Sequence, residues 1–509
     1  MYLSFGTGLS REANAAVHAH ASALLAQLLP GVTDLLPGYS NLYIEYDAAV
    51  LTEAAVLRWA EAVEATEDVS AARTITIPVR YDGEDLAEVA ARTGLSTDEV
   101  VRRHSATPYH VYALGFTPGF PFMASVDESL RLPRRSVPRA KVPAHSVAMA
   151  NEQTGVYPLS TPGGWHLLGT TLESLYDPHR AEPFLLQPGD TVKFDSVKFD
   201  TVKFESVKFE PAQGDTPPEP RRLELLPSEP HCPLLRVQSP GLLDLVLDRG
   251  RFLVGRFGLS RSGPLDADLA YLANRLLGNP ASAPLVELTL TGPTLEVLAE
   301  SVLAFAGWSL LPVLNGETLA GFSSFAVKRG DVLSFQPRAR GCRSYLAVAG
   351  GIQADTFMGS ASVDLKGYVG RPLQTGDVLG QAERRTPRAN RGFVPYRFFG
   401  TVETLRLLPG PQPDPDALAV LFENTFTVAS ADRMGIRLEG AAVPGGEVLS
   451  EAVPLGAVQV TPSGMPILLL HDRGTLGGYA KPAVLHPRDL GRAAQLRPGS
   501  RVRFVPVGE

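Results

Sequence analysis

Residues 115–123, GFTPGFPFM, cannot form an ordinary strand. Pro118 and Pro121 remove backbone donors, while Gly115 and Gly119 permit close approach or a positive φ. Phe116, Phe120 and Phe122 supply apolar walls to what is either a rigid binding loop or a Pro-aromatic plug of a core. Around this stretch, from 109 to about 194, short apolar runs alternate with dense Gly and Pro, the pattern of a β-barrel or β-sandwich. Upstream the pattern is different. YLSF (2–5) is a short strand signal, residues 11–28 carry Ala and Leu at helical spacing, and GVTDLLPGYSNLYIEYD (31–47) reads as two strands about a Pro37-Gly38 turn. With a second helix over 53–63, this predicts a small ferredoxin-like α+β unit, to which TITIPV (74–79) adds a further strand. Helix signals return at 84–91, closed by Gly94, and Ser96 with Glu99 makes a capping box for a helix reaching about His104.

Residues 191–210 repeat a pentapeptide: TVKFD, SVKFD, TVKFE, SVKFE. An odd period sends Val192 and Val197 to opposite faces of a strand, so the run cannot be one half-buried strand. The first copy reads as a closing strand of the preceding domain and the others as a spacer. A Pro-rich linker follows over 211–233. The remainder is again rich in β-type runs, with one clear helix over 266–277. The domains expected are 1–72, 73–195, a repeat and linker over 196–235, and 236–509.

The chain has 509 residues, 44% hydrophobic and 20% charged, ample for several packed cores. Its net charge of −7 argues against a nucleic-acid partner. Cys232 and Cys342 belong to no metal-binding spacing. No long apolar run or basic leader is present, so a soluble cytoplasmic protein without a membrane partner is expected. No GxxxxGK[ST] loop occurs, so any ATP site is of another type.

Further polar motifs carry chemistry. In DRMGIRLEG (432–440), an extended chain would put Arg433, Arg437 and Glu439 on one face, where two guanidiniums could clamp a carboxylate or phosphate. The alternative is a self-neutralised surface cluster. HDRGTLGGYAK (471–481) offers Asp472, Arg473, Thr475, Tyr479 and Lys481 for positioning and hydrogen bonding, and Gly477 and Gly478 offer backbone donors or a tight turn. Gln459 could read an amide edge. Glu287 is either a paired buried carboxylate or a catalytic one. Arg134, Arg135, Arg139 and Lys141 form a local basic patch.

GFTPGFPFM, LPRRSVPRAKVPAHSV (132–147) and QTGVYPLSTPGGWHLLG (153–169) together resemble the allophanate hydrolase subunit 1 family, which includes the B component of 5-oxoprolinase and the Kip inhibitor. SGPLDADLAYLANRLLGN (262–279), VELTLTGP (286–293), YLAVAGG (345–351), DRMGIRLEG and HDRGTLGGYAKPAVL (471–485) are similar to the subunit 2 family, which includes the C component of 5-oxoprolinase and the Kip antagonist. The resemblance implies a mostly β protein with cyclophilin-like barrels, one in the first half and two in the second. It implies ATP- and Mg²⁺-dependent opening of 5-oxoproline to glutamate by way of a phosphorylated lactam, together with a separate 5-oxoprolinase A component, and allows a homo-oligomer. It points to His104, Arg433, Asp472 and Lys481 as catalytic residues. Phe116, Pro118, Gly119, Phe120, Lys141, Gln153, Thr154, Glu287, Arg437, Gln459, Thr475, Gly477, Gly478 and Tyr479 would hold substrate or nucleotide, and no metal-ligand cluster is expected. Alternatives are a regulatory module of the sensor-kinase inhibitor type, or a carboxyltransferase component of a biotin-dependent urea carboxylase. His145, Thr170, Leu247 and Ala361 depart from the family's glycine, arginine, glutamine and arginine at those places, which bears on the substrate.

Overall fold

The computed structural model describes residues 1–65, 73–197, 221–385, 387–394 and 400–508. The N-terminal unit is a three-stranded antiparallel sheet, Tyr2–Ser4 beside Asn41–Tyr46 beside Val32–Pro37, covered by helices Arg11–Ala26 and Glu53–Ala62. Each helix begins on a hydroxyl cap: Ser10 accepts from the Ala13 N–H and Thr52 from the Ala55 N–H. The TITIPV strand does not join this sheet. Thr74–Val79 pairs in parallel with Thr191–Ser196 in the next domain, so the N-terminal unit keeps three strands. The reason is burial: Ile77 and Val79 belong to the core of that next domain.

The next domain is a seven-stranded sheet that closes on itself. Its end strands are Thr74–Val79 and His166–Thr170, and Arg80 and Thr170 exchange backbone hydrogen bonds at 2.9 and 2.8 Å. The first copy of the pentapeptide repeat is a working strand there, with Val192 and Phe194 inward and Lys193 and Asp195 outward. The later copies lie outside the described residues. The helix Thr97–Ala106 starts on Ser96 as expected, its hydroxyl accepting from the Glu99 N–H at 3.2 Å.

The second half holds paired six- and five-stranded sheets over 233–380, then a closed seven-stranded barrel over 402–506. The mostly β architecture with barrel-like sheets in both halves follows the expectation, and 233–380 packs its two sheets around one core without closing a single ring. The described end of the linker is not a free tether: Leu223 bridges Val369, and the Arg222 guanidinium lies 4.8 Å from the Tyr368 ring centre. Besides the expected helix Ala267–Leu277, the second half contains Pro415–Glu423, announced by Asp414 at its cap and Pro415 at its first turn.

The two halves share one extensive junction. Gly119 donates its N–H to the Phe257 carbonyl at 2.9 Å, Phe184 stacks on Phe257 at 4.8 Å, and the Tyr176 hydroxyl donates to the Gly367 carbonyl at 2.8 Å. Leu476 packs into the space opposite Gly115. The N-terminal unit adds the Asp34 carboxylate, which accepts the Gly255 N–H at 3.1 Å, and Glu45, which pairs with Arg473 at 3.0 Å.

Gly258 has a φ of +79°, and a methyl group there would stand 2.4 Å from the Thr117 carbonyl oxygen. Gly258→Ala should therefore cost about 2–4 kcal/mol, read as a lowered calorimetric transition. Burial, helped by the charge of Glu45, raises Asp34 to about 7. Folded Asp34 thus holds its proton through a range in which an unfolded aspartate has lost it, so its contribution to stability falls as pH rises from about 4 to 7. Between pH 5 and pH 8, the melting temperature of Asp34→Asn should gain on that of the native chain.

Candidate active site at the junction

The second-half side of the junction is built on a buried polar network. Arg433 is 4% exposed and every one of its nitrogens is used. Nε donates to Asp472 Oδ2 at 2.8 Å, Nη2 to the Gly263 carbonyl at 2.7 Å, and Nη1 to Glu287 Oε1. Glu287 also accepts from the Tyr345 hydroxyl at 2.7 Å and the Leu265 N–H at 2.9 Å. Burial would lower the pKa of Arg433, yet the charges of Asp472 and Glu287 raise it above the ordinary guanidinium range. Glu287 sits on strand Leu285–Thr289, and Arg433 and Asp472 sit in the C-terminal barrel, so this network welds the two barrels of the second half.

Glu287 is thus the paired buried carboxylate, and Arg433 is an inner charge whose three nitrogens are all engaged by groups of the protein itself. The expected two-arginine clamp does not form. Asp432 accepts the N–H groups of Met434 and Gly435, turning the chain before strand Gly435–Glu439 begins. Arg433 consequently precedes the strand and points inward, while Arg437 and Glu439 lie on its exposed face.

The other catalytic candidates do not converge with Asp472. His104 is wholly buried inside the first barrel, with Nδ1 against the Tyr81 hydroxyl at 2.8 Å and Nε2 against Thr154 Oγ1 at 2.9 Å. Burial lowers its pKa to about 3, and with both nitrogens engaged it has no free position for acid–base work at neutral pH. Thr154 is committed to the same core contact. Lys481 is fully buried and pairs with Glu451 at 3.1 Å while donating to the Tyr479 carbonyl at 3.0 Å.

The basic patch is largely neutralised. Asp85 holds Arg135 at 2.9 Å and Arg139 at 2.7 Å, and Lys141 is exposed beside them. Arg134 instead turns across the junction toward Tyr479, with 5.9 Å between its guanidinium carbon and the ring centre. TLGGY is neither a turn nor a phosphate loop: Leu476–Tyr479 is a strand paired with Glu447–Ala452. Gly478 permits Arg134 to approach, since a methyl there would lie 2.5 Å from its Nη2, and Gly477 faces the Gln459 amide. Arg134, Gln153 and Glu447 line a cleft of about 330 Å³ between the halves, in which Gln153 is held by a 2.5 Å bond to the Tyr39 hydroxyl.

The GFTPGFPFM loop forms the Pro-aromatic plug its sequence allowed, and its first residues also reach the second half. Phe120 plugs an aromatic cluster, with Phe122, Tyr157 and Trp165 at 5.0, 5.1 and 5.4 Å. Pro118 is buried and Gly119 takes a φ of +73°. Phe116, at a φ of +63°, turns its carbonyl to the Lys366 ammonium of the second half. Lys366, which sequence reasoning missed, sits close to Asp364, Asp472 and Arg473. Thr475, the last of the expected binding residues, is buried next to this segment with no hydrogen-bond partner for its hydroxyl. The four departures fall in two places. Leu247 is buried beside Asp248, which binds the N–H of Ala361 at 2.8 Å, and the carbonyl of His145 accepts the N–H of Thr171, next to Thr170, at 3.0 Å. His145 itself keeps a φ of +68°, the conformation for which the family's glycine is suited.

Residues 1–186 match the family described as carboxyltransferase domain, subdomain C and D, and residues 257–506 match carboxyltransferase domain, subdomain A and B. The B component of the 5-oxoprolinase of Escherichia coli O157:H7 is 49% identical over 173 residues, 33% of this chain and 78% of that protein. The C component of the 5-oxoprolinase of Escherichia coli strain K12 is 34% identical over 285 residues, 53% of this chain and 91% of that protein. This chain belongs to the 5-oxoprolinase B and C families, joined in one polypeptide. A crystal structure of TTHA0988 superposes with a TM-score of 0.92 at 53% identity, with 99% of both chains covered. The Phe116–Lys366 contact therefore joins a B-type half to a C-type half.

Arg433→Ala would leave Glu287 and Asp472 buried without their counter-charge, and should destabilise the C-type half by about 3–5 kcal/mol in denaturant titration.

Proposed function

We propose that this chain is the fused B–C component of an ATP-dependent 5-oxoprolinase, hydrolysing 5-oxoproline to glutamate with a separate A component. The observation that carries this reading is the composite junction, where a loop of the B-type half meets Lys366, Gly474 and Leu476 of the C-type half. A fused chain keeps both contributors to one site at fixed stoichiometry. A five-membered lactam resists water, and phosphorylation of its carbonyl oxygen would activate the ring carbon. Overall, the ring C–N bond breaks, the carbon gains a water oxygen, the nitrogen gains protons, and ATP becomes ADP and phosphate.

Among the described residues, no group of three or more His, Cys, Asp or Glu side chains is placed to hold a metal. A cytoplasmic setting fits a reaction that consumes ATP, and among the described residues no helix is long and apolar enough to cross a membrane.

The carboxyltransferase descriptions favour one second reading, the transfer of a carrier-borne carboxyl group to an amide nitrogen. One assay separates them. Purified chain with its 5-oxoprolinase A homologue, 5-oxoproline, ATP and Mg²⁺ should release glutamate and ADP together, and either protein alone should release far less. Label from bicarbonate entering an amide product, with no glutamate, would favour the second reading instead.

A further inference from the structure

Lys366 lies on the short segment between Asp364 and Tyr368, which no repeat or motif singles out. Its Nζ donates to the Phe116 carbonyl and stands 5.5 Å from the centre of the Phe116 ring. Gly474 backs the same spot, since a methyl there would be 3.2 Å from the Phe116 carbonyl oxygen and 3.6 Å from Nζ. One bond to the protein leaves the ammonium two further N–H directions. On the segments that meet here, Thr117 Oγ1, Asp364 Oδ2 and Thr475 Oγ1 are buried without hydrogen-bond partners. Buried polar atoms are seldom left so, and each of these three keeps the capacity for a hydrogen bond to a ligand.

We propose that Lys366 is a catalytic residue, the proton donor to the departing ring nitrogen of the lactam, in a site completed by Phe116, Thr117, Asp364 and Thr475. The inference rests on the 5-oxoprolinase reading. A water oxygen bonds to the ring carbonyl carbon, whose oxygen carries a phosphoryl group from a nucleoside triphosphate. The C–N bond breaks, its electron pair stays on nitrogen, and that nitrogen takes a proton from Nζ. The amine recovers a proton released by the attacking water, leaving an acyl phosphate that a second water hydrolyses. Proton donation suits this lysine better than anchoring a substrate carboxylate. Asp364 and Asp472 already act on it with negative charge and Arg473 with positive charge, while burial lowers its pKa to about 8, close to that of a working acid.

The test uses the full chain with its 5-oxoprolinase A homologue. Native kcat should fall as pH rises through about 8, where the ammonium is lost. Lys366→Met should lower kcat by about 100-fold or more with KM changed far less. Lys366→Arg keeps the charge and the contact to Phe116 but cannot release a proton, so it should stay folded, remain slow, and lose the alkaline fall. Full kcat in Lys366→Arg would overturn the proposal while leaving the 5-oxoprolinase reading intact. A second measurement does not depend on turnover: trace acetylation of Lys366 against pH, read by mass spectrometry, should show half-reactivity near pH 8 and protection by 5-oxoproline. Titration at the ordinary lysine value, or labelling without protection, would overturn the role of Lys366. Glutamate missing from the native mixture would instead strike at the reading beneath it.

Discussion

A backbone carbonyl that cannot be satisfied within its own loop ties the two halves of this chain together. Phe116 stands in the left-handed region, between Gly115 and a turn whose prolines donate nothing, so its oxygen faces away from its own barrel. The group that meets it is the Lys366 ammonium, 250 residues later. Everything nearby is arranged so that this contact can form. Phe257 takes the Gly119 N–H and stacks on Phe184, Gly258 lets the Thr117 carbonyl approach, and Leu476 fills the space opposite Gly115. The close approach of the Thr117 carbonyl leaves little tolerance for an added methyl group at Gly258.

Charge is distributed around that contact by burial. Arg433, with every nitrogen occupied, neutralises Glu287 and Asp472 and fixes the two second-half barrels to one another. Arg473 reaches the other way, to Glu45 of the N-terminal unit. Two neighbouring arginines thus secure two different interfaces. Lys366, a more adaptable cation than either, is left with spare donors at the place where those interfaces meet.

Local signals in the sequence predicted local structure well. Ser96 with Glu99, the Ala and Leu spacing of the first helix and the run after Asp266 all translated into helices, because caps and 3.6-residue periodicity act within a few residues. The helix starting at Pro415 is legible from Asp414-Pro415, although it stands among β-type runs. TITIPV was read as a strand but could not be given its sheet, since its partner Thr191–Ser196 lies more than a hundred residues on. Parity failed at Arg433 because the turn at Asp432 resets which face each residue takes. His104 sat at a helix end, where a charged histidine is favourable, yet Phe194 and Thr154 close over it from distant strands. Lys366 gave no signal at all: a single lysine in a loop acquires meaning only from Phe116 and Asp472, far away in the chain.

The fusion itself follows from the same physics. Halves that share these main-chain contacts are held together by the interface itself. Placing a protease site in the connection between residues 197 and 221 and passing the cut protein through a sizing column tests this directly. The account predicts that the two fragments elute together at the position of the intact chain and still turn over 5-oxoproline with the 5-oxoprolinase A homologue. Fragments that separate on cutting would contradict a shared, junction-built site.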